Sequence, residues 1–124
     1  MDEKQIEETL IDLIIVNYKM KEMINNMIED MRKIDITKAM KYERQRNWYQ
    51  YKTEELAKTK EIEIIDLKGK KYIDGTNAEI VNIEEINPNT ELEELEIIQT
   101  IEPIIMQKGK IKRKGKIILE NKEG

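Results

Sequence analysis

Two of the chain's four arginines, Arg44 and Arg46, lie in the segment 41–52, KYERQRNWYQYK, beside the only tryptophan, Trp48, and three of the five tyrosines, Tyr42, Tyr49 and Tyr51. Aromatic planes and guanidinium groups together grip flat anionic ligands, because rings stack on a base while the guanidinium pairs with phosphate. The same residue types anchor protein interfaces. The segment therefore marks a binding surface for a nucleotide-like ligand, a single-stranded nucleic acid or another protein. The plainer reading is amphipathic filler, with Trp48 and Tyr51 packed inward and the arginines in surface ion pairs worth little.

The chemistry left out is as informative. The chain has no Cys and no His. It thus lacks disulfides, thiolates, the commonest general base and the commonest zinc ligands. The acidic run from Glu91 to Glu96 lacks the Asp/Asn/Gly spacing of a calcium loop and reads as a solvated face, so no metal site and no cofactor is expected. The tripeptide KGK occurs at 68–70, 108–110 and 114–116, where glycine turns could cradle an anion, but lysine-decorated hairpin turns explain it more simply. No GxxxxGK[ST] pattern occurs. No catalytic residues are assigned, and the protein is expected not to be an enzyme.

Charge is unevenly distributed. Residues 1–60 carry 12 basic and 12 acidic groups, residues 61–106 carry three against 12, and residues 107–124 carry seven against two. This is no footprint for duplex DNA, whose binding needs a continuous basic face. The acidic, polar N-terminus resembles no signal peptide, and no apolar run approaches the roughly 20 residues that span a bilayer, so a cytoplasmic protein without a membrane partner is expected. The abundance of Ile, Lys, Glu and Asn reflects AT-rich codons, as in low-GC bacteria and their phages.

The elements that must position these residues follow from punctuation and period. Gly and Pro are absent before Gly69. The reading is α+β: a helical hairpin or long bent helix over 1–60, the oligomerisation and binding region, then a small antiparallel β region over 61–124, together a single domain. In the first helix Ile6, Leu10, Leu13, Met20, Ile24, Met27, Met31 and Ile34 alternate in steps of four and three, with Asn17 filling the one gap. This is a heptad seam with one polar position, a device that fixes register and oligomer number. Leu10, Leu13, Asn17, Met20, Ile24 and Trp48 are the expected interface residues of a homo-oligomer. Asp35 or Thr37 caps a second helix running to about residue 60, with a weak apolar stripe of Ala39, Met40, Trp48, Tyr51 and Leu56. Beyond it the period becomes two. Strands are expected over 61–67, 78–86, 97–101, 104–106 and 111–119, the last broken at Gly115 and the third and fourth separated by Pro103.

With Arg44 or Arg46 on the second helix, Tyr72 in KKYIDG, Asn82 in EIVNI and Arg113 in KIKRKG, this layout resembles the phage anti-Thoeris proteins that sequester cyclic ADP-ribose signals. The resemblance implies a homo-oligomer binding a nucleotide-derived ligand at a subunit interface. Arg46 (or Arg44) and Arg113 would then neutralise the pyrophosphate, Tyr72 would stack on the base and Asn82 would orient the ribose or base. The chain has no Phe, so Tyr72 must serve as the ring. Its function would be sequestration without cleavage. The alternative is a phage structural or adaptor protein that associates through its heptad helix and Arg/aromatic segment; a single-stranded nucleic-acid binder is a third reading.

Overall fold

The computed structural model describes residues 2–121, and the chain divides into two compact units, Met1–Glu61 and Ile62–Gly124. The layout is α+β, with two N-terminal helices followed by two three-stranded sheets.

Helix α1 spans Glu3–Arg32 and α2 spans Ile36–Lys58. A capping box starts α1: the Asp2 carboxylate accepts from the Gln5 backbone N–H at 2.8 Å, while the Gln5 side chain accepts from the Asp2 N–H at 2.9 Å. The two helices are not one rod. The chain leaves α1 after Arg32, and Asp35 caps α2 by accepting from the Lys38 N–H at 3.1 Å. Asp35 rather than Thr37 is thus the cap. Antiparallel pairing follows from two cross-ties: Arg32 Nη2 donates to Glu43 Oε2 at 2.8 Å, and Arg46 Nη1 donates to Asn25 Oδ1 at 2.6 Å.

The buried line of α1 is Ile11, Ile14, Tyr18 and Ile28, and α2 buries Ala39 and Ala57. Small residues at those α2 positions let a helix approach closely. The line runs beside the heptad seam read from sequence, not along it. α1 is apolar on two adjacent faces, and the chain itself covers one of them.

In the second unit, β1 is Ile62–Ile65, β2 Ala78–Ile80, β3 Leu95–Glu102, β4 Ile104–Gln107, β5 Lys110–Arg113 and β6 Gly115–Asn121. The last four strands form one long ribbon. β4 and β5 join through a two-residue turn, Lys108 and Gly109, at φ of 53° and 77°. Positive φ at both positions is what a type I′ hairpin requires. The ribbon then folds at Pro103 on one arm and Lys114 on the other. β4 and β5 continue in one sheet, ordered β1-β4-β5, while β3 and β6 enter the other, ordered β2-β6-β3. Gly115 sits at the fold because a Cβ there would stand 3.1 Å from the Glu102 carbonyl and 3.2 Å from Ile104 Cγ1. It is a strand residue in a crowded corner, where the sequence suggested a break within one strand.

Alternation places Ile117 and Leu119 of β6 against Leu95 and Ile97 of β3 in a core that Leu67, Tyr72, Ala78, Ile80, Ile86 and Leu92 border. Two expectations are corrected here. β2 pairs with β6 in parallel, so the second sheet is mixed rather than antiparallel. The strand expected over 78–86 ends at Ile80, and the chain turns through a 3₁₀ segment at Ile83–Glu85. The segment holding Tyr72 makes no strand of its own. It borders β3, the Tyr72 N–H donating to the Leu95 carbonyl at 3.0 Å.

Candidate functional site

At 100° per residue, KYERQRNWYQYK splits into two faces of α2. Tyr42, Arg46 and Tyr49 fall on one side, and Arg44, Trp48 and Tyr51 on the other. The first set turns toward α1. Tyr42, Arg46 and Tyr49 line a groove of about 420 Å³ with Ile24, Met27, Ile28 and Met31 of α1. A second groove of about 330 Å³ continues it, lined by Asn17, Met20, Lys21 and Ile24 of α1 and by Tyr49, Thr53 and Leu56 of α2 among others. The two share Ile24, Arg46 and Tyr49, so they form one apolar trough along the helix pair.

The trough's lining shows a period on both helices. Asn17, Met20, Ile24, Met27 and Met31 step by three and four along α1, the seam already legible in sequence. Tyr42, Arg46, Tyr49, Thr53 and Leu56 step by four and three along α2. Arg46 and Thr53 interrupt this second row, so its period stands out less in the sequence than that of α1. The spacing was the available signal.

Much of the row is open to solvent. Leu13 is 61% exposed, Met20 51% and Met27 61%, with Asn17 also exposed and Leu10 and Ile24 half-buried. Among the described residues, fourteen of the nineteen exposed large apolar side chains lie between Ile6 and Leu56, on the helical unit.

Arg46 is held in place. Besides Asn25, its guanidinium donates to Asn47 Oδ1 at 2.9 Å and lies 3.9 Å from Glu43 Oε1. The Arg32 hydrogen bond, with its charge and that of Arg46, holds the Glu43 carboxyl below the usual glutamate range, outweighing desolvation. The same bond raises Arg32. The polar groups of this segment thus lock the helix pair and leave its rings and methionines facing outward.

On the opposite face Arg44 is exposed and has no hydrogen-bond or ion-pair partner among the described residues. Trp48 is 59% exposed and meets the Tyr49 ring edge-on at 5.2 Å.

The remaining site residues belong to the β unit. The Asn82 amide pairs with β6: Nδ2 donates to the Leu119 carbonyl at 2.8 Å, and Oδ1 accepts from the Leu119 N–H at 3.1 Å. The side chain continues the β2 ladder after the backbone has turned away. Tyr72 packs on the Leu95, Ile97, Ile117 and Leu119 cluster. Arg113 is half-buried on β5, its Nη1 donating to the Lys112 carbonyl at 3.2 Å. The hollow beside Asn82, about 550 Å³, is bordered by Glu85 and Glu120 and by neither Tyr72 nor Arg113.

No described helix is long and apolar enough to cross a membrane. Comparison with protein-family models, characterised proteins and solved structures gives no match for this chain.

Proposed function

We propose that this is a non-enzymatic structural or adaptor protein whose working surface is the trough along α1 and α2. One observation carries the reading: both helices present heptad rows of apolar residues that the chain itself leaves uncovered. Exposed methionine and aromatic rows at helical spacing are the form in which a protein offers itself to another helix. The cross-ties through Arg32, Glu43, Asn25 and Arg46 fix the two rows in register, so the surface is organised before a partner arrives.

Replacing Met20 and Met27 together by Glu tests this. The double variant should keep its helical circular dichroism and lose association with protein, measured by chemical cross-linking at micromolar concentration. Association equal to that of the unsubstituted chain overturns the reading.

A second reading keeps support from one detail. The groove of about 330 Å³ is lined by Tyr49 together with Arg46, Lys21 and Lys52, residue types suited to a flat anionic ligand of the cyclic ADP-ribose type. Sequestration predicts that the protein depletes such a ligand from solution and returns it intact on heating. No depletion, or recovery of a hydrolysed product, sinks it.

A further inference from the structure

The two helices are electrically unlike. α1 carries seven acidic against four basic residues, and α2 carries three against six. The bias extends to the margins of the trough. By helical spacing Asp12 and Asp30 flank the α1 row on its outer side, while Lys41 and Lys52 flank the α2 row on its outer side.

We infer that the first occupant of the trough is a second copy of this chain. The two hairpins are related by a twofold axis along the bundle, with α1 of each copy against α2 of the other. This rests on the trough being an association surface, as proposed above. A helix pair with an uncovered heptad row on each member is half of a four-helix bundle, and a twofold axis makes the same face serve both copies. Charge selects the crosswise arrangement, because it sets the acidic margin of α1 against the basic margin of α2. The Arg32–Glu43 and Asn25–Arg46 ties define which residues of the two helices lie at the same level. An axis along the bundle preserves that level between copies, so Asp30 of one copy comes beside Lys41 of the other. Arg44, Trp48 and Tyr51 stay on the outside of such a dimer.

The chain has no cysteine, so engineered thiols are the only ones present. Asp30→Cys and Lys41→Cys, mixed in equal amounts and treated with a short bis-maleimide, should give a cross-linked dimer in a yield approaching about half, the share that random pairing puts into mixed dimers. Each variant alone should give little, because its thiols lie diagonally across the bundle. Equal yields in the mixture and in the separate controls overturn the crosswise pairing. Sedimentation supplies the second arm: the unsubstituted chain and Trp48→Ala should run as dimers, and Met27→Glu as a helical monomer. An unsubstituted chain that stays monomeric overturns the dimer. If the unsubstituted chain then still cross-links to a protein of different mass, the association reading stands while the dimer falls. A Trp48→Ala monomer places the interface on the wrong face and overturns the proposal.

Discussion

At the residue scale, Asn82 shows how a polar side chain can stand in for backbone. Its amide presents one donor and one acceptor to Leu119, the same pair that a continuing strand would offer. The alternating pattern over 78–86 was legible as a strand, but no periodicity says that a side chain will take over the ladder. Asn82→Ala should therefore lower stability by about 1–3 kcal/mol, since it leaves the Leu119 N–H and carbonyl unpaired. Thermal unfolding checks this, and an unchanged midpoint would mean that water replaces the two bonds without net cost. Arg46 has a comparable history. Its type and neighbours mark a binding segment, whereas its observed partners, Asn25 and Asn47, make it a strut of the helix pair. Sequence names the groups that can make strong bonds; the fold decides which of those bonds are made inside the chain.

At the scale of elements, the helices were the most legible part, because Asp35 and a long glycine-free stretch define them. On α1 the heptad row and the buried line one residue away share a period, since Ile11, Ile14 and Tyr18 repeat as the row does, so spacing does not say which of the two the chain buries. The fold over the ribbon was less legible. A strand interrupted at Gly115 looks alike whether it bends within a sheet or passes into another, and only the crowding against Glu102 and Ile104 distinguishes them. The helix pair also carries a pH dependence. Glu43 is held below its usual range by Arg32 first, so its ionised form favours the folded state. That stabilisation is present above the ordinary glutamate range and is lost as pH falls through the lowered value. Glu43→Gln should thus be less stable than the unsubstituted chain at neutral pH, and the difference should close on acidification. Circular dichroism melts across that range check it; a gap that persists in acid would assign the effect to packing.

For the whole molecule, the distribution of charge and apolar surface differs between the two units. The helical stretch 1–60 has equal numbers of acids and bases, yet its two helices are oppositely biased, a property invisible in the regional totals. The β unit buries its apolar residues in its own small core and exposes few large ones. On this account the molecule works by presenting a two-helix face, and the Arg/aromatic segment that first marks the sequence is shared between that face and its reverse. Native mass spectrometry of protein purified from cells tests the claim most directly, because it reports stoichiometry and any retained small molecule together. The account predicts a species of twice the 14.8 kDa chain mass carrying no ligand. A single chain retaining a nucleotide-sized molecule would contradict it.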